Sequence, residues 1–193
     1  MTDDFSWLDV PVEEAAKALL GCELVRELDG RILRARIVET EAYDQDDPAS
    51  HTFRGPTPRN AAMFLEAGHA YVYLSMGIHH CLNMVAGPAG FGEGVLIRAV
   101  EPLQGEEFMR ERRGGRSGVQ VTNGPGKLCQ ALGVDLSLTG HDVALPPLRL
   151  LRRAPLDPAR IVTTTRIGIS KAAELPRRFY DADSAYVSVR ARA

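Results

Sequence analysis

A long hairpin signal dominates the first quarter of the chain: Glu23 to Leu28 and Arg31 to Tyr43 flank Asp29-Gly30, a dipeptide suited to a tight two-residue turn. In the second strand Leu33, Ala35 and Ile37 share a face, and period-two alternation carries that register on through Glu39, Glu41 and Tyr43. The expectation is two carboxylates on the core side of a strand, about 7 Å apart. A buried carboxylate costs free energy unless it is paired or used. One reading is a structural pair held by arginines such as Arg34, Arg36 or Arg98. The other is a general base beside an aromatic wall, at a separation compatible with two-carboxylate hydrolysis.

Around this hairpin the pattern is mixed. Pro11, then Glu13 and Glu14, then Gly21 predict a helix over Val12 to Leu20. Ala70 to Ser75 and His79 to Val85 read as a second hairpin joined at Met76-Gly77, and Gly94 to Val100 as a buried strand. Helices are expected over Pro102 to Arg113 and Gly126 to Leu132, with short strands near Leu148 to Leu151, Ile161 to Ile167 and Ala185 to Val189. A length of 193 residues with no repeat and no low-complexity linker favours one domain, residues 1–193. The fold class is α+β: a curved, mainly antiparallel sheet with a protruding β-hairpin and peripheral helices.

Composition narrows the function classes. Hydrophobic residues at 45% and charged residues at 25% exclude a disordered or collagenous chain. No apolar run is long enough to cross a bilayer, and the acidic start lacks the basic region of a signal peptide, so a cytoplasmic protein is expected, nucleoid-associated if bacterial. Three cysteines without paired spacing argue against a disulfide framework. The net charge of −2 conceals an uneven distribution: five basic and thirteen acidic residues in 1–50, against ten and four in 149–193. Such asymmetry can present one positive face to a polyanion.

Tyr43, Tyr71 and Tyr73, with His51, can provide flat surfaces for stacking a planar ligand, although strand tyrosines are more often core or rim residues. The turn Ser75-Met76-Gly77-Ile78 places two large apolar side chains where polar ones are expected. Such a tip either folds back onto the core or serves as a wedge of the kind minor-groove proteins use to part base steps. His79-His80-Cys81 is discounted as a metal site, because adjacent strand residues point to opposite faces and no paired ligand motif is present. Gly124-Pro125-Gly126-Lys127 lacks phosphate-loop spacing, leaving a helix start with one lysine that suits a single phosphate.

Taken in order, Arg36-Ile-Val-Glu39-Thr-Glu41-Ala-Tyr43, His51, Thr57-Pro-Arg59-Asn60, Met63-Phe64, Tyr71-Val-Tyr73, Cys81-Leu-Asn83, Leu96-Ile-Arg98 and Gly124-Pro-Gly-Lys127-Leu resemble the alkyladenine (3-methyladenine) DNA glycosylase family of animals and many bacteria. The resemblance runs over residues 12 to 190. It implies that Glu41 activates a water for attack on the sugar C1′ and that Arg98 helps to position Glu41, the water and the adjacent phosphate. Tyr43, His51 and Tyr73 would stack the flipped base, Asn83 would disfavour the 2-amino group of guanine, and Leu96 would line the pocket. Met76 and Ile78, with Arg59 and Lys127, would contact DNA.

The implied activity is monofunctional hydrolysis of the N-glycosidic bond in base excision repair. The expected substrates are 3-methyladenine and 7-methylguanine, with hypoxanthine and ethenoadenine as further candidates. The scheme calls for double-stranded DNA as partner, a monomer, no metal and no cofactor. A non-catalytic lesion-binding protein, a hydrolase of free nucleosides and a purely structural interaction protein are the rival readings. The chain departs from several family members in carrying Met76 where they place a tyrosine, and no long N-terminal extension of the animal kind is expected.

Overall fold

The computed structural model describes residues 4–191. Residues 1–3, and with them most of the acidic start, lie outside the described residues. Both expected hairpins form with the predicted bounds: β1 (Glu23–Leu28) with β2 (Arg31–Tyr43), and β3 (Ala70–Ser75) with β4 (His79–Val85). They join through β5 (Gly94–Gln104) into an eight-stranded sheet of order β3-β4-β5-β2-β1-β6, where β6 is Leu148–Leu151. β7 (Ile161–Thr164) and β8 (Arg178–Asp181) complete it, β8 pairing with the second half of β2 where β1 has ended. All these pairings are antiparallel, and the sheet curls around its site face.

Alternation divides the side chains cleanly. Val72, Leu82, Met84, Val95 and Ile97 enter the main core beneath α1 (Val12–Ala18) and α3 (Pro125–Leu132). Tyr71, Tyr73, Asn83 and Leu96 take the opposite face.

The expected register does not survive the length of β2. The β2–β5 ladder shifts between Ile37 and Glu39, and again between Glu39 and Thr40. Leu33, Ala35 and Ile37 lie in the main core, but beyond the irregularity the core residue is Ala42, and Thr40 donates to the Ala16 carbonyl of α1 at 2.9 Å. Glu39, Glu41 and Tyr43 are thereby turned away from the main core. A bulge adds one residue and so reverses every later side chain, which is how such irregularities re-aim groups beside sites.

Other departures have local causes. The helix expected from Pro102 begins at Glu106, as α2 (Glu106–Arg112). Pro102 stays in β5, beyond the part of that strand that pairs with β4, so its missing N–H breaks no ladder on that edge. Gly105, at φ 79°, makes the turn into the helix, where a Cβ would lie 2.5 Å from Leu33 Cδ2. No strand forms over Ala185 to Val189: the Ser188 amide donates instead to the Glu39 carboxylate at 2.7 Å. All three cysteines are buried free thiols.

The basic C-terminal tract spends five of its arginines on the acidic first quarter. Arg149 pairs with Glu27, Arg153 with Glu23, Arg166 with Asp47, Arg177 with Glu13 and Asp44, and Arg178 with Glu39. Glu93 is the uncompensated member of this region. It is buried, its Oε2 has no hydrogen-bond partner among the described residues, and burial with the nearby Asp44 and Glu13 charges raises its pKa from 4.5 to about 7. Below pH 4.5 both folded and unfolded chains hold this proton. As pH rises toward 7 the unfolded chain releases it first, so folding stability falls. Glu93→Gln is therefore expected to be more stable than the parent by about 2 kcal/mol at pH 8 and indistinguishable at pH 4.5, read by urea unfolding at the two pH values.

Candidate active site

Register builds the site. Tyr71 opposes Asn83, Asn83 opposes Leu96, Leu96 opposes Glu41, and Glu41 opposes Arg178, giving one row across β3, β4, β5, β2 and β8. Directly opposed residues point to the same face. The neighbouring row is Val85, Gly94 and Tyr43; Gly94 leaves room for Met63, whose Cε would lie 2.9 Å from an added Cβ. Over these rows opens a cavity of about 200 Å³, lined by Tyr43, Ser50, His51, Met63, Tyr71, Tyr73, Asn83, Gly168 and Ile169, among others.

Its walls are aromatic. The Tyr71 and Tyr73 rings lie 5.7 Å apart and 26° from parallel, and His51 meets Tyr73 edge-on at 4.5 Å. His51 Nδ1 is 3.0 Å from the Tyr71 hydroxyl. Burial, assisted by the Arg59 charge, lowers the His51 pKa, so the imidazole is neutral at pH 7 and keeps one donor and one acceptor. Burial pushes the Tyr43 and Tyr73 phenols well up, and both remain protonated. Asn83 donates through Nδ2 to the Tyr71 carbonyl at 3.1 Å, which holds the amide against the cavity.

The two glutamates, both fully buried, have different surroundings. Glu39 Oε1 accepts from Arg98 Nε (3.3 Å), Arg178 Nη1 (2.8 Å) and the Ser188 hydroxyl (2.9 Å), while its Oε2 accepts from the Ser188 amide. Four hydrogen bonds thus converge on Glu39, three on Oε1 and one on Oε2. Glu41 Oε1 accepts from the Ile167 amide (2.8 Å), and its Oε2 accepts from the Tyr43 hydroxyl (2.8 Å) with Arg98 Nη1 at 3.2 Å. A carboxylate has about four acceptor sites, so Glu41 keeps one to spend. The same Arg98 thus bridges both glutamates.

Of the residues singled out in the sequence, Tyr43, His51, Tyr73 and Asn83 line the cavity, Glu41 and Arg98 lie beneath Tyr43, and Leu96 is packed between Asn83 and Glu41. Met76 and Ile78 project from the far end of the same hairpin, 92% and 71% exposed. Met76 and Gly77 have φ of 50° and 71°, and the Ile78 amide closes the turn on the Ser75 carbonyl at 3.0 Å. A non-glycine residue there costs roughly 1–2 kcal/mol, and no core contact offsets it. Arg59 reaches the Leu74 carbonyl on one side of the hairpin. On the other side Gly126 abuts His79, and Lys127 follows it, with a pKa lowered by burial and by the charges of Arg113 and Arg116. None of the described ion pairs uses Arg59, Arg113, Arg116 or Lys127. Positive charge outside the described ion pairs therefore flanks the hairpin.

Sequence reasoning missed the segment from Arg166 to Ile169, whose first two residues it read as the end of a strand. It supplies the Ile167 amide to Glu41, two cavity residues, and the Arg166 guanidinium 4.5 Å from the Tyr43 ring centroid. A charged residue near the end of a supposed strand, with Gly168 directly after that strand, was the available signal.

The model of the methylpurine-DNA glycosylase family matches residues 6–185. A protein of Carboxydothermus hydrogenoformans is 49% identical over 174 residues, covering 90% of this chain and 91% of its own. One from Nitrosospira multiformis is 51% identical over 185 residues (96% and 91%), and one from Methanoculleus marisnigri 50% identical over 180 (91% and 92%). Each bears the name "Putative 3-methyladenine DNA glycosylase". With half of its residues shared across nearly the full length of these relatives, and the family's model spanning sheet and site alike, the chain belongs to the methylpurine-DNA glycosylase family.

Proposed function

We propose that this DNA glycosylase acts as a monofunctional monomer on duplex DNA, flipping 3-methyladenine and 7-methylguanine, and also hypoxanthine and ethenoadenine, into the aromatic cavity. The observation that carries this reading is a carboxylate with one acceptor site left, anchored beneath an aromatic pocket at the foot of an exposed apolar hairpin. Flipping costs a few kcal/mol, and stacking on Tyr43, His51 and Tyr73 returns about 1–3 kcal/mol per base. Alkylation at N3 or N7 makes the purine cationic, which improves both the leaving group and its attraction to tyrosine faces. Asn83 fills the space that a 2-amino group needs, and Leu96 supports it from the neighbouring strand.

In the chemical step the water oxygen bonds to C1′, the N-glycosidic electron pair leaves with the base, and the water proton passes to Glu41. Arg98, held between both carboxylates, fixes Glu41 and faces the adjacent phosphate. The negative carboxylate also favours the positive charge that develops on the sugar. Among the described residues no lysine is bonded to Glu41, whose partners are Tyr43, Ile167 and Arg98, and the product is an abasic site. Single-turnover release from duplexes carrying each lesion, set against the corresponding free nucleosides, tests the reading; release from nucleosides alone would transfer the protein to the nucleoside hydrolases.

Met76 and Ile78 fill the gap left by the flipped base, and Arg59 and Lys127 hold the flanking phosphates. Met76→Ala is expected to weaken binding to a lesion duplex about tenfold, the lower end of what a stacking side chain contributes, while single-stranded cleavage changes less. Equal losses on both substrates would remove the wedge assignment.

A further inference from the structure

Arg166 covers one face of the Tyr43 ring, its guanidinium 4.5 Å from the centroid, and it does not line the cavity that Tyr43 helps to form. Its side chain is fully buried and paired with Asp47, which is equally buried. It also donates to the Ala42 carbonyl at 3.0 Å and the Ala172 carbonyl at 3.3 Å, while its Nε has no partner among the described residues. A buried guanidinium with an unspent N–H is a costly way to pin a loop. Its position behind the stacking wall suggests what it does. A cation bound to one face of an aromatic ring withdraws the electron density that would attract a second cation to the other. Asp47 cancels that charge, and Arg177, 3.4 Å from Asp47, is itself held by Glu13 and Asp44.

We infer that Asp47 and Arg166 are a specificity-determining pair: Arg166 sets the plane of Tyr43, and Asp47 neutralises it so that the open face of the ring accepts a cationic purine. Both are positioning residues, acting through Tyr43. The inference rests on the proposed excision of cationic bases. A base stacked on the open face lies roughly 8 Å from the guanidinium, where an uncompensated unit charge changes an equilibrium constant tenfold or more.

The test compares 7-methylguanine, cationic, with hypoxanthine, neutral. Single-turnover release is measured for both, and duplex binding is measured in a Glu41→Gln background so that the comparison does not depend on either base being released. Asp47→Asn is expected to lower the 7-methylguanine to hypoxanthine ratio about tenfold. Asp47→Asn with Arg166→Met, which removes both charges, should restore the ratio even where absolute rates fall, and thermal unfolding separates loss of fold from loss of preference. Equal losses on both lesions, or a ratio not restored in the double variant, would overturn the inference and leave the pair a structural one. Failure of the unaltered protein to bind or release either lesion would instead overturn the proposed substrate reading itself, and the inference with it.

Discussion

Glu41→Gln is expected to lower single-turnover release of 3-methyladenine from duplex DNA by 10²- to 10⁴-fold, roughly the range that general-base catalysis supplies. The amide keeps the shape of the side chain and one acceptor oxygen for the Ile167 amide, 2.8 Å away in the parent. Its NH₂ then faces the Tyr43 hydroxyl, a rotor able to accept as well as donate, so the aromatic wall has no reason to move. Arg98 loses one carboxylate and retains Glu39. The penalty to folding is that of one or two charge-assisted bonds, about 1–3 kcal/mol, whereas the group that takes the water proton is lost outright. Lesion binding should survive. Two measurements therefore decide the assignment: release that persists in the variant removes Glu41 from the chemistry, and tight lesion binding by an unaltered protein that releases nothing makes it a lesion-binding module.

Local signals sufficed where the physics is local. The two hairpins, the apolar tip at Met76 and the tyrosine alternation in β3 follow from turn chemistry and period two, and they place three sides of the site. The ordered motifs carried the family, which the family model and relatives of about 50% identity bear out. What stayed illegible needs partners distant in sequence. The bulge in β2 shows no glycine or proline of its own; it arises because Thr40 and Ala42 meet α1 and the main core while Glu39 and Glu41 meet Arg98 and residues 167–188. Pro102 has a helix-start signature that only knowledge of where β4 stops can overrule. β8, Arg-Phe-Tyr-Asp, is too short and too charged to announce itself, and its arginine is explained by Glu39, 139 residues away in sequence. The charge asymmetry was real, but part of its meaning was internal: five arginines of residues 149–193 pair with carboxylates of residues 1–50.

Glu39→Gln should show the opposite phenotype from Glu41→Gln. Four hydrogen bonds converge on Glu39 from Arg98, Arg178 and both the amide and hydroxyl of Ser188, and Glu39, Arg98 and Arg178 are all buried. Removing its charge leaves Arg178, 4% exposed at the side chain, without a carboxylate partner among the described residues, and unties residue 188 from the sheet. Breaking a buried pair from one side costs about 3–5 kcal/mol, because the remaining charge is stranded. Urea unfolding should therefore show a loss of that size for Glu39→Gln, against the smaller loss for Glu41→Gln. Whatever Glu39→Gln remains folded should still release base, within about tenfold of the parent, since Arg98 keeps its contact with Glu41. The two substitutions, two residues apart on one strand, are chemically identical and differ only in surroundings. A Glu39→Gln protein of parental stability that releases no base would exchange the roles, making Glu39 the proton acceptor and Glu41 the anchor of the loop at Ile167.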